Sequence, residues 1–325
     1  MNDDAVAPVI AVMLILAAAA MAFAVFNGVY IPSVKEAAEI EHLHAVETSF
    51  QQFSSDIERA VSDRKDGTAL SEPVPLGGGD VFLNPLRSAG SLSIINEDIP
   101  VYYLILMTDD GMQFRNGTLV NISYTPAGNF WQDQGYRWQY GFLNVTKYGK
   151  RQVPLSYSNM TEVTSAFQKR GPLAAFAGSF GTVESSRNAT HVPVYDENGN
   201  ITSYGPRDGN CSAITINAVN ITASPDHPFA SGNGIGRLEL GTRIISEEYY
   251  GVKSITIWSG MTPFGNATAG AWNKSFSALN ETTCRSNILY NPDLSVEGFS
   301  TYMISQDVSP VNVTVNIVSI GIGAQ

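Results

Sequence analysis

The stretch AVAPVIAVMLILAAAAMAFAVF, residues 5–26, decides how the chain is read. It holds no charged or strongly polar side chain. As a helix it would be roughly 33 Å long at about 1.5 Å per residue, close to the hydrocarbon thickness of a bilayer. Three environments accept such a helix. One is lipid; one is the core of a helical filament; the third is a secretion path that removes it after Ala22-Phe23-Ala24. A secretory signal opens on Lys or Arg and has a shorter apolar core, whereas here Met1-Asn2-Asp3-Asp4 is acidic and the run is long. Retention of the helix is the expectation.

The rest of the chain reads as a domain carried outside the cell. Twelve Asn-x-Ser/Thr triplets occur, at Asn116, Asn121, Asn144, Asn159, Asn188, Asn200, Asn210, Asn220, Asn266, Asn273, Asn280 and Asn312, and none precedes Asn116. Such triplets are glycan acceptors only on a translocated chain. With no basic residue before Lys35, orientation rests on them: N-terminus inside, C-terminal bulk outside. The formal charge of −11 excludes nucleic acid as the expected partner, because phosphate binding needs a basic surface. Only 15% of residues are charged while Gly, Tyr and Phe are plentiful, the balance of a turn-rich β protein.

The N-terminal segment resembles a family. Asp3-Asp4-Ala5-Val6-Ala7-Pro8-Val9-Ile10-Ala11-Val12 is similar to the start of archaeal type IV pilins and related surface proteins, with a short leader and a Ser-Pro-Val-Ile-Gly-Val type segment opening a long apolar helix. Here Ala7 and Ala11 stand for the commoner Ser and Gly, and Ile10 stands where bacterial pilins carry a glutamate. The resemblance covers about the first 60 residues. It implies a prepilin-type peptidase cutting between Ala5 and Val6, and helix-to-helix packing with copies of the chain or other pilins. Pro8 in the first turn fits a helix start. Ala17-Ala18-Ala19-Ala20, Ala22 and Ala24 give a slim surface for close helix approach.

Asn27-Gly28 and Pro32 are expected to interrupt this helix at the outer boundary, with Tyr30 in the interface belt. A second, amphipathic helix is expected over residues 33–61. Leu43, Val46, Phe50, Phe53, Ile57 and Ala60 follow a 3-4-3-4-3 spacing, the seam of a coiled coil or of a helix laid on a sheet. His42 and His44 read as solvated helix residues. Residues 62–80, with two prolines and Gly77-Gly78-Gly79, read as a flexible linker.

From residue 81 to 325 the reading is a mainly antiparallel β-sandwich or jelly-roll-like head, so the fold class is α+β. Strands are expected at 100–108, as a buried apolar run, and at 118–124, 213–222, 236–245, 252–258 and 311–317. Short helices are expected near 161–167 and 270–278. Cys211 and Cys284 are expected to form a disulfide outside the cell, worth roughly 4 kcal/mol in the chain-entropy model.

No motif for catalysis, cofactor or metal stands out. Asp196-Glu197-Asn198-Gly199-Asn200 lacks the glycine and the closing glutamate of a calcium loop and reads as a hairpin turn. Gly232-Asn233-Gly234-Ile235-Gly236 precedes a strand pattern, not the helix a dinucleotide site needs. The aromatic cluster over 130–142 suits the core, or alternatively a face for surface glycans. The expectation is a single-pass surface protein of pilin type that assembles into or adheres from a filament. The alternatives are a non-polymerising anchored binding module and, behind it, an extracellular hydrolase working through carboxylates.

Overall fold

The computed structural model describes residues 6–78, 88–128, 133–147, 150–186, 191–206, 213–259, 262–282, 288–290, 299–304 and 311–325. Helix α1 (Val6–Val25) runs through a π-helical turn (Phe26–Tyr30) into α2 (Ile31–Asp63). Strands β1 (Ala69–Pro75), β2 (Ala89–Asn96), β3 (Tyr102–Thr108), β4 (Gly111–Gly117), β5 (Val120–Ala127), β6 (Gln134–Gln139), β7 (Phe142–Lys147) and β8 (Lys150–Pro154) follow. Then come helices α3 (Met160–Gln168) and α4 (Pro172–Gly178), and strands β9 (Gly181–Ser186), β10 (His191–Tyr195), β11 (Ile201–Pro206), β12 (Ala213–Ala223), β13 (Phe229–Gly232), β14 (Ile235–Val252) and β15 (Ser254–Ser259). Helix α5 (Pro263–Thr282) and strands β16 (Ile288–Tyr290), β17 (Phe299–Ile304) and β18 (Val311–Ala324) close the chain.

A long N-terminal helix thus leads into a mostly antiparallel, strand-rich domain, the class that the patterning predicts. The central sheet has the order β1-β14-β18-β12-β9, with β12 and β18 parallel and every other pair antiparallel. A six-stranded sheet β13-β2-β5-β6-β7-β8 and a five-stranded sheet β16-β17-β15-β3-β4 accompany it, with β10 and β11 as a separate hairpin.

The central sheet changes the face it buries partway along. On β18, Val311, Val313, Val315 and Ile317 are buried, then Val318, Ile320, Ile322 and Ala324. On β12 the change falls between Ala218 and Val219, the residues paired with Ile317 and Val318. Strand side chains alternate, so the first half buries one face and the second half the other. The first half receives α5: Trp272 lies so close over Gly181 that a side-chain carbon there would strike its indole ring. The second half is covered by α2, which rests on β1 and β14, and by β2.

Two expectations about the helix and its connection to the head are corrected. Asn27-Gly28 and Pro32 do not break the helix. Val25, Tyr30 and Ile31 all keep helical dihedrals, and the Ile31 N–H bonds Phe26 O, five residues back. Pro32 has no N–H for the carbonyl of Gly28, and the wider π turn absorbs that mismatch while Asn27 Nδ2 donates to Phe23 O at 2.9 Å. Residues 62–80 are not a linker throughout, because β1 lies inside them and pairs with β14 from Ala69↔Gly241 to Pro75↔Ile235.

The helices expected near 161–167 and 270–278 are α3 and the longer α5; α4 was not foreseen. Asn159 Oδ1 caps α3 by accepting the Glu162 N–H at 2.9 Å. Residues 196–200 form the β10–β11 turn, with Gly199 at φ 79. Strand β3 departs from a buried run. Tyr102, Leu104 and Leu106 are buried, but Met107 is 41% exposed and Tyr103 and Ile105 are half-buried.

Candidate membrane and assembly site

Every described side chain of α1, from Ile10 to Val25, is exposed. The large apolar ones among them are between 52% and 70% exposed: Ile10, Val12, Met13, Leu14, Ile15, Leu16, Met21, Phe23 and Val25. Burying a side chain of this kind is worth about 1.5–3 kcal/mol, so leaving them in water would cost on the order of 10–25 kcal/mol. That rivals the whole net stability of a domain, roughly 5–15 kcal/mol. This helix needs an apolar solvent. It is long and apolar enough to cross a membrane, and it is a candidate span by length and composition. Val29 and Tyr30 continue the exposed surface, and the Phe26 and Tyr30 rings stack with centroids 5.3 Å apart.

Helix α2 continues that exposed helix into the head. Its seam residues Leu43, Val46, Phe50, Phe53, Ile57 and Ala60 are all buried, against β1 and β14 on one side and β6 and β7 on the other. Polar contacts fix the register. Ser49 Oγ shares its proton between Pro73 O (2.7 Å) and Ala45 O (3.1 Å). Trp138 Nε1 donates to Ser54 Oγ at 2.9 Å, and Tyr136 Oη donates to Glu47 Oε2 at 3.3 Å. Burial pushes the Tyr136 phenol up to about 12, so it stays a donor. At the end of α2, Arg64 turns left-handed (φ 49) and donates to Thr182 Oγ1 (2.8 Å) and Ser179 O (3.0 Å).

His42, read as a solvated helix residue, is buried. Its Nε2 lies 2.9 Å from Tyr124 Oη, which donates its own proton to Leu76 O at 3.3 Å. Nε2 is therefore the donor to Tyr124, which leaves Nδ1 as the titrating nitrogen, packed beside Gly78. Burial pushes the imidazole below its ordinary value, and Glu39 pulls it partly back. His44 remains exposed, 3.9 Å from Glu47.

The other expected site residues are placed as follows. Val6 begins α1, while Ala5, Cys211, Cys284, Asn188 and Asn210 lie outside the described residues. Asn116, Asn159, Asn200, Asn266 and Asn312 are exposed, and Asn121, Asn220 and Asn273 are partly so. Asn220 Oδ1 accepts from the Thr118 N–H (2.8 Å) and hydroxyl (2.9 Å). Asn280 lies on α5. Asn144 is 1% exposed inside its sheet, so the folded head offers no room for a glycan there.

Of the aromatic cluster, Tyr136 and Trp138 are core residues, and Tyr140 stacks on Phe264 at 5.5 Å. Trp131 lies outside the described residues. A groove of about 540 Å³ lies over Gly241, Gly321 and Gly323 on the central sheet, with His227 and Glu239 on its rim. Glu239 already accepts from Gln325 Nε2 at 2.9 Å. Among the described residues no cluster of three His, Cys, Asp or Glu side chains could hold a metal ion.

The arrangement offers one exposed apolar helix that continues into a helix packed in a folded head. Comparison with known protein families, with curated proteins and with solved structures returned no match.

Proposed function

We propose that the chain is a pilin-like surface subunit. Residues 6–26 sit in the membrane and pass from there into a helical filament core made of copies or related subunits. The head stands outside, carries glycans, and adheres to surface partners. The single observation that supports this reading is the exposed apolar helix that continues without a break into a helix packed within the head. A helix apolar all round, with Ala17-Ala18-Ala19-Ala20 on its surface, suits both lipid and other helices.

The test is the mature N-terminus, read by mass spectrometry of protein taken from native cells, together with electron microscopy of sheared surface material. A start at Val6 with the protein present in filaments is the expected result. An intact Met1 without filaments reduces the protein to a single-pass anchor carrying a binding module. A start at Val25 removes the helix and ends the filament reading.

A further inference from the structure

The outer face of the sheet β16-β17-β15-β3-β4 carries an aromatic ladder that the described residues leave partly uncovered. Tyr103 pairs with Trp258 on one side and with Asn116 on the other, so Trp258, Tyr103 and Asn116 form one row across three strands. Phe114 stands beside that row, opposite Ile105. The Tyr103 ring centroid is 5.0 Å from that of Trp258 and 5.2 Å from that of Phe114. Phe114 is 46% exposed, and Met107 and Met112 extend the apolar surface along the strands. Thr256 and Ser254 complete the face, so these rows carry no charged side chain. Arg115 turns to the opposite face, where its Nε donates to Glu247 Oε2 at 2.6 Å. An exposed apolar and aromatic row of this kind is a place for an occupant.

The row supplies one. Asn116 is exposed on β4, the edge strand of this sheet, and begins Asn116-Gly117-Thr118. Gly117 is fixed from the other face, where a side-chain carbon would strike the Tyr102 ring. Strands lie about 4.8 Å apart, so Tyr103 is roughly 5 Å and Trp258 roughly 10 Å from Asn116, within the span of the first two sugars of a chain attached there. Pyranose rings present an apolar C–H face, and flat aromatic rings are its natural counterpart. A neutral ladder suits that face better than it suits a partner steered by charge.

We propose that Asn116 carries a glycan whose first sugars lie on Tyr103, Phe114 and Trp258, so that this modification completes the outer face of the head. The inference rests on the reading that the head is exported. Its test compares the full-length protein from native cells with its Asn116→Gln variant, by glycopeptide mass spectrometry and hydroxyl-radical footprinting in native membranes. Enzymatic or chemical removal of glycans from the unmutated protein is a second comparison that does not depend on the variant folding.

The expected result is a glycan on Asn116 and several-fold less labelling of Tyr103, Phe114 and Trp258 when it is present. Met112, further from Asn116 along β4, keeps its reactivity throughout. Equal labelling with and without the glycan overturns the proposal. Protection in both overturns it too, and assigns the face to a contact between copies. A bare Asn116 beside glycans on Asn159 or Asn200 overturns it while leaving the exported head standing. Bare sequons throughout would overturn it as well, together with the glycans of the proposed function, and leave export to be decided by the mature N-terminus.

Discussion

His42 is the residue whose chemistry most affects the junction between helix and head. Its folded value lies below its ordinary one, because burial strips solvent from the ring, with Nδ1 packed beside Gly78 and Nε2 committed to Tyr124. For a base with a depressed value, the unfolded chain takes up the proton first as pH falls. The stability from a neutral His42 is therefore present above about pH 6.5 and is lost as pH falls below it. Thermal melts between pH 7.5 and 5 should show a fall in Tm that His42→Gln reduces, even though Glu39 facing the ring opposes part of it. Gly181 makes a steric prediction: Gly181→Ala must displace Trp272 and should cost about 1–3 kcal/mol in denaturant unfolding. Neither residue announces itself in the sequence. A histidine two positions from another on a polar-looking helix reads as solvated, and a glycine opening a strand reads as a turn.

At the scale of elements, periodic signals were legible and edges were not. The seam from Leu43 to Ala60 is buried as its spacing predicts, because a helix can place those positions together only on one face. Phe50→Ala should cost about 3–5 kcal/mol and raise hydrogen exchange across α2 and β1 together. Strand β1 was illegible because Pro73 and Pro75 look like linker chemistry. The Leu76 N–H bonds Gly234 O, so by alternation Val74 and Glu72 face β14 while Pro73 and Pro75 turn their missing N–H groups outward. Prolines are tolerated there on an edge strand. Strand β3 misled in the opposite sense: Tyr102 to Met107 is apolar throughout, and a run of that kind does not reveal which face lacks a neighbour.

For the whole molecule, the class was readable because residues 5–26 and the strand alternation after them leave few alternatives. The arrangement of three larger sheets was not, since it depends on pairings such as β12 beside β18, nearly a hundred residues apart. The described side chains of the apolar helix, Ile10 to Val25, are exposed and add nothing to the head's own packing. A chain starting at Ile31 should therefore keep the Tm of the full-length protein and run as a soluble species on size-exclusion chromatography, while the full chain requires detergent.

In the filament proposed above, the unbroken passage from α1 into α2 would also set how a subunit answers to force. A hinge at residues 62–80 would have let the head swing and taken up slack. Instead α2 is bonded to β1, β6 and Thr182, so a tug on the head would pass through it to α1. Such a subunit would behave as a rivet rather than a tether. Whatever stretch such a filament showed would come from rivets sliding against one another, with each head holding its angle until its shank pulled free.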